Sequence, residues 1–306
     1  MKVLIIGLGS IAIKHIEAIK KINQNAIIYA LRSSNNANNF KDIIDLYSIK
    51  DVPNDIDFIL ISNTTSLHSK TILNVIDFNK PLFIEKPVFD SVINNDEIVR
   101  LIKEKNIKTY VACNLRFHPA LNFIKSYLNS NILKLNEVNV YCGSYLPKWR
   151  PLQDYTKSYS ANQKLGGGVH LDLIHELDYT IWIFGKPINY NSIKRKVSNL
   201  LIDTFDYTNY NLSYPDFNVS ITLNYYRSTP KRQIEIILEN ETLICDLLTS
   251  TILNNENQII FTDNEFDFSK TYLDQMNYFI DNLENDNIYM NDINESFEIL
   301  KIALND

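Results

Sequence analysis

The chain has 306 residues, 45% apolar and 22% charged, with a net charge of −6. That length suits two domains of ordinary size, and the balance is that of a protein able to bury a core. The acidic excess disfavours nucleic acid or an anionic membrane surface as partners, since both need a basic face.

The first third alternates short apolar runs with helical periods. Val3 to Ile6, Ile27 to Leu31, Phe58 to Ile61, Leu82 to Ile84 and Lys108 to Ala112 read as buried strands. Between them, Ile11, His15, Ile16, Ile19 and Ile22 share one helix face, as do Ile72, Val75 and Ile76, and later Ile98, Leu101 and Ile102. Alternation of this kind predicts a parallel sheet covered on both faces. After Asn114 strand signals dominate, from about Leu135 to Asp263, interrupted mainly by one helix near Val169 to Phe184. Phe217 to Tyr225 alternates apolar odd positions with polar even ones, and Ile234, Ile236 and Leu238 repeat the period. One face of that sheet is therefore buried and the other wetter. Tyr272 to Leu283 and Ile293 to Leu304 predict closing helices, and the Asn-rich stretches around Asn35 and Asn254 predict loops. The expected architecture is α/β: a Rossmann domain over 1–116, then an α+β domain with an open, mainly antiparallel sheet over 117–306.

Cys113, Cys142 and Cys245 lie far apart, with no Cys/His spacing that would hold zinc or frame disulfides, so no metal is expected and a reducing, cytoplasmic setting is. No apolar stretch reaches the ~18 residues that span a bilayer. The run from Met1 to Ser10 is interrupted by two glycines and leads into a charged amphipathic helix, so it does not read as a secretion signal.

Directly after the first strand comes Gly7-Leu8-Gly9-Ser10-Ile11-Ala12, a G-x-G-x-x-A dinucleotide fingerprint. Gly7 permits the tight turn, Gly9 lets backbone approach a pyrophosphate, and Ala12 lets helix pack close to strand. The free N–H groups of Ser10 and Ile11 at the helix start would face the phosphates. The second strand ends in Leu31-Arg32-Ser33-Ser34, without the usual acidic residue. A guanidinium beside hydroxyls, with no carboxylate to repel a 2′-phosphate, predicts preference for NADP(H), NAD remaining possible. The other reading of Arg32 is stacking on adenine or facing solvent.

At the carboxyl ends of later strands stand Asn63-Thr64-Thr65 with His68, then Glu85-Lys86-Pro87, then Asn114 to Pro119; further along the chain comes Gly166-Gly167-Gly168, leading into Asp172 and His175. In this order and spacing the motifs resemble those of the Gfo/Idh/MocA oxidoreductases across essentially the whole chain. Within that family the chain resembles a subgroup linked to surface-polysaccharide sugar pathways. The resemblance implies hydride transfer between NAD(P) and a carbon of a sugar, nucleotide sugar or cyclitol. It matches Lys86 to the lysine that contacts the reacting hydroxyl, His175 to the acid/base and Asp172 to the neighbouring carboxylate. It also implies cofactor contacts from Asn63, Thr64, Glu85, Lys86 and Asn114, and a cis Lys86-Pro87 bond. His68 reads either as a cofactor-side residue or as a helix-start residue. An imidazole with pKa near 6.5 suits proton removal at neutral pH, and an ammonium suits a developing alkoxide. On one helix, Asp172 and His175 would share a face. Many family members separate these two by four positions rather than three, and that alignment puts Leu171 in place of Asp172.

The segment Leu146 to Tyr159 interleaves aromatics and cations, a composition suited to a sugar or base and an anionic group. Trp149, Arg150 and Tyr155, with Arg116, are candidate substrate contacts. The alternative is a loop whose aromatics anchor it to the fold. Relatives often dimerise through the second sheet, so the resemblance implies a homo-oligomer. Two other functions share this fold: a non-catalytic NADP-binding sensor and an NAD-recycling glycosidase.

Overall fold

The structure is a computed structural model, and it describes residues 1–33, 40, 42–131, 133–285 and 289–305. Ser34 and the stretch around Asn35 lie outside the described residues. Two compact units form, Met1–Asn114 with Ser269–Leu300, and Leu115–Phe268 with the residues from Lys301 on. The first unit is thus discontinuous in sequence, whereas the boundary expected at 116/117 treats each domain as one stretch.

In the first unit, β1 (Lys2–Ile6), α1 (Ser10–Ile22), β2 (Ile27–Leu31), β3 (Ile43–Leu46), β4 (Phe58–Ile61), α2 (His68–Val75), β5 (Leu82–Glu85), α3 (Asn95–Glu104) and β6 (Thr109–Ala112) follow in order. Six parallel strands run β3-β2-β1-β4-β5-β6, the doubly wound order whose reversal beside β1 makes a ligand crevice at the strands' carboxyl ends. β1, β4, β5 and β6 are buried nearly throughout, because helices cover both faces. The short edge strand β3, outside the apolar runs named above, is only half-buried.

The second unit begins with α4 (Pro119–Ser130) and β7 (Leu135–Gly143). The single helix expected over 169–184 is two, α5 (Val169–Asp172) and α6 (His175–Phe184), because Leu173 leaves helical geometry at φ −98°, ψ 32°. Strands β8 (Asn189–Arg195), β9 (Tyr207–Ser213), β10 (Asn218–Asn224), β11 (Lys231–Leu238), β12 (Thr242–Asp246), β13 (Thr251–Leu253) and β14 (Ile259–Thr262) complete an eight-stranded sheet. Its order is β14-β13-β12-β11-β7-β10-β9-β8, and only the β10–β7 pair is parallel. Val219, Ile221 and Leu223 are buried while Ser220 and Thr222 are half-buried, as the alternation requires. Asn224, read as part of the wetter face, is buried instead: its Nδ2 donates to Tyr141 and its Oδ1 accepts from the Arg227 amide.

The closing helices are α7 (Phe268–Asp281) and α8 (Ile293–Leu304). Phe279 of α7 packs against Phe58 and Phe83, and Phe297 of α8 against Phe89. Asn291 exchanges hydrogen bonds with Val111, so the β6 edge of the parallel sheet is capped by the chain's own backbone. Among the described residues no helix is long and apolar enough to cross a membrane.

Candidate functional site

Gly7 turns the chain out of β1 at φ +97°, a region closed to most L-residues. A Cβ there would lie 2.2 Å from the Asn63 amide nitrogen, and Ser62 Oγ donates to the Gly7 carbonyl at 2.8 Å. The turn after β1 and the turn after β4 are therefore packed backbone to backbone. At Gly9 the opposite holds: a Cβ would meet nothing within 4 Å. Helix α1 starts on Gly9 with no side-chain cap and no acidic residue in its first turn, and Ala12 is fully buried beneath it. Open space over Gly9, uncapped N–H groups at Ser10 and Ile11, and no opposing charge together fit a pyrophosphate.

Arg32 follows β2, where its Nη1 lies 3.4 Å from Asp45 Oδ1, and its guanidinium stands 5.9 Å from the Phe40 ring. This corrects the premise that no carboxylate is present. Ala30 of β2 pairs with Asp45 of β3, so residue 32 is a diagonal neighbour of Asp45 on one face. Ser33 is exposed.

Thr64 precedes a short helical turn after β4, and Asn63 Nδ2 donates to Thr71. His68, 1% exposed, has its Nδ1 3.1 Å from the Val88 carbonyl and its Nε2 3.1 Å from the Asn63 carbonyl. Burial holds this imidazole below its ordinary pKa, so one nitrogen donates at a time. The ring thus ties two strand-end turns together, which matches a scaffolding role at the start of α2. Glu85 ends β5, and the Lys86-Pro87 bond that follows is cis. Glu85 Oε1 accepts from His15 Nε2 at 2.5 Å and Oε2 accepts from the Lys86 amide at 3.2 Å. Asn114 Nδ2 donates to Thr271 of α7 at 2.6 Å. Lys86 belongs to the first unit.

In the second unit the break at Leu173 removes the shared helix face argued for Asp172 and His175. Asp172 is buried at the end of α5, where Tyr159 donates to Oδ1 at 2.5 Å and Tyr225 to Oδ2 at 2.6 Å. Burial first, and the Asp172 charge second, holds both phenols well above their usual range, so both stay donors. Trp149 packs edge-on to Tyr225 at 5.3 Å and donates to Ser144, and Arg150 lies over the Tyr159 ring at 5.7 Å. Trp149, Arg150 and Tyr155 line one recess with Gln153, Ser158 and Ser160. Three residues chosen from composition are thus neighbours, and two of them, Trp149 and Arg150, reach Asp172 through Tyr225 and Tyr159. Tyr225 was legible as an aromatic on a buried strand face, whose hydroxyl needs a partner.

His175 opens α6 and is half-buried. On its carboxyl side Glu176, fully buried, accepts from Arg232 Nε of β11 at 2.6 Å. Glu176 Oε2, Arg232 Nη2 and the Tyr179 hydroxyl have no hydrogen-bond partner among the described residues. Arg116, named above as a substrate contact, is instead 2% exposed, its guanidinium forked onto Asp178 of α6 at 2.7–3.2 Å.

Two further histidines of this unit give a pH prediction. Burial lowers His118 from 6.5 to about 4, and His170 to about 3. Both are neutral in the folded state, while the unfolded chain takes protons as pH falls below about 6.5. Stability present above that value should therefore drain away on acidification, by up to about 3 kcal/mol per histidine near pH 4. Urea midpoints measured from pH 7.5 to 4.5 in His118→Gln and His170→Gln proteins should show a shallower slope than wild type. An unchanged slope would refute it.

Residues 1–113 match the oxidoreductase family with the NAD-binding Rossmann fold. A stretch of 199 residues is 25% identical to myo-inositol 2-dehydrogenase of Thermotoga maritima, covering 61% of this chain and 56% of that enzyme. The chain thus matches about half the length of that curated relative. The fold is similar to UDP-N-acetylglucosamine 3-dehydrogenase of Acidithiobacillus ferrooxidans, with a TM-score of 0.79, 15% identity and coverage of 100% of this chain and 96% of that one. It is also similar to levoglucosan dehydrogenase in complex with NADH and levoglucosan, with a TM-score of 0.84, 14% identity and coverage of 99% and 95%.

Proposed function

We propose that this chain, whose residues 1–113 match the Gfo/Idh/MocA oxidoreductase family with its NAD-binding Rossmann fold, is an NAD(P)-dependent dehydrogenase or reductase of a sugar, nucleotide sugar or cyclitol. The observation that carries the proposal is the Gly7–Gly9 turn, packed on Asn63 on one side and open over Gly9 on the other. Gly9, Ser10 and Ile11 would hold the pyrophosphate, Arg32 the adenosine ribose, and Asn63, Thr64, Glu85, Lys86 and Asn114 the nicotinamide half. The cofactor supplies a carbon that takes or gives hydride. Lys86 presents an ammonium to the substrate oxygen and stabilises the charge that grows there. His175 takes the hydroxyl proton during oxidation and returns it during reduction. Asp172, fixed by two phenols, holds the end of α5, and Trp149, Arg150 and Tyr155 offer aromatic and cationic contacts to the substrate. The enzyme works as a cytoplasmic homo-oligomer joined through the second sheet.

A panel of sugars, cyclitols and nucleotide sugars followed at the nicotinamide absorbance tests the proposal. With the active compound, Lys86→Ala and His175→Ala should each lose about 100-fold or more in turnover. Wild-type turnover in either variant overturns these roles.

NADP(H) preference rests on Arg32, with Asp45 opposing it. Arg32→Ala should weaken NADPH binding about tenfold and NADH less than about threefold, on the scale of a charge-assisted contact. Asp45→Asn should tighten NADPH. Fluorescence titration reads both; tighter NADH than NADPH in the wild type ends the preference.

A further inference from the structure

His15 has no part in the chemistry proposed above, yet it is the only histidine of the first unit that contacts a carboxylate among the described residues. It lies on α1, one and a half turns past the glycine loop, and is fully buried. Its ring packs edge-on to Phe83 at 4.9 Å and to Tyr272 at 5.9 Å, so its orientation is fixed from both sides. Nε2 donates to Glu85 Oε1 at 2.5 Å. Nδ1 has no hydrogen-bond partner among the described residues, so Glu85 is the one polar group that this ring addresses. Glu85 is itself 8% exposed, and its other oxygen accepts the amide hydrogen of Lys86.

We infer that His15 is a positioning residue for Lys86, acting through Glu85. A buried carboxylate with no donor on one oxygen would be free to rotate. With one oxygen held by His15, the other is aimed at the peptide that carries Lys86. The same helix presents Ser10 and Ile11 at its start. Groups proposed to receive the dinucleotide and the lysine proposed to meet the substrate are therefore joined by one rigid chain, α1 to His15 to Glu85 to Lys86. The role of Lys86 in this inference rests on the function proposed above, but the physical coupling does not.

The test reads Lys86 directly. Lysines are dimethylated with ¹³C-formaldehyde, and the Lys86 methyl resonance is identified by its absence in Lys86→Ala. His15→Ala should shift that resonance, and so should Glu85→Gln, whose amide cannot serve both donors. His15→Gln, which keeps a donor near the Nε2 position, should return it to the wild-type position. With a substrate in hand, His15→Ala should lower kcat about 10- to 100-fold, the scale set by misplacing a reacting group by an ångström. NADPH affinity should change less than about threefold, because the phosphate contacts are untouched. A Lys86 resonance unmoved in folded His15→Ala, or in Glu85→Gln should His15→Ala not fold, overturns the inference. Loss in His15→Gln equal to that in His15→Ala also overturns it. Failure of the wild type to bind NADPH or NADH would instead defeat the proposed function and leave the resonance test standing.

Discussion

Gly7→Ala is expected to abolish dinucleotide binding and to destabilise the first unit. The methyl group would sit 2.2 to 2.5 Å from three backbone atoms of Ser62 and Asn63. Backbone cannot rotate away as a side chain would, and φ at +97° is itself unfavourable for alanine. Relief requires the β1 and β4 turns to separate, which breaks the Ser62–Gly7 hydrogen bond and misdirects the start of α1. Affinity for NADPH or NADH should fall by more than about 1,000-fold, well beyond the loss of one hydrogen bond. Gly9→Ala is the matched comparison: its methyl meets only open space. That variant should fold with wild-type stability and lose affinity only by crowding the ligand. Isothermal titration with paired thermal melts measures both, and Gly7→Ala binding within about tenfold of wild type would refute the packing argument.

Arg232→Met should destabilise the second unit by about 3–5 kcal/mol, the cost of leaving a buried charge without its partner. Glu176 is fully buried, and one of its oxygens already has no hydrogen-bond partner among the described residues. Removing the guanidinium leaves a carboxylate facing Tyr179 and Cys142, both buried and unable to supply a positive charge. At ~2–4 °C per kcal/mol for a domain of this size, the melting midpoint should drop by roughly 10 °C. The double variant Glu176→Gln with Arg232→Met should recover much of that loss, since the charge has gone with its partner. Equal melting midpoints for wild type and Arg232→Met would refute the burial argument.

Much of the fold was legible because burial on both faces leaves an unmistakable trace. Val3 to Ile6 and Phe58 to Ile61 are continuous apolar runs, and Phe217 to Tyr225 alternates because one face is wetter. Ile43 to Leu46 carries Asp45 and lies at an edge, so it has neither trace. The glycine turn could be read because each glycine answers a local steric demand. Asp45 could not be foreseen beside Arg32, since only the β2–β3 register unites residues 13 apart. Arg116 shows the same limit: a cation just past the carboxyl end of a parallel strand resembles a ligand contact until Asp178 is found facing it. Tyr159 and Tyr225 converge on Asp172 from a loop and from just past the end of β10, a meeting that no spacing rule describes. The break at Leu173 was invisible because Leu173 and Ile174 keep the apolar pattern of an unbroken helix.

That break also bears on the interval between Asp172 and His175. In an unbroken helix one added residue turns everything downstream by about 100°, so a three-residue and a four-residue spacing would aim the imidazole in quite different directions. Here the two residues after Asp172 form a joint between the helices, and α6 is also held from outside the joint, by Arg232 on Glu176 and Arg116 on Asp178. The aim of residue 175 therefore does not follow from a single helical phase counted on from residue 172.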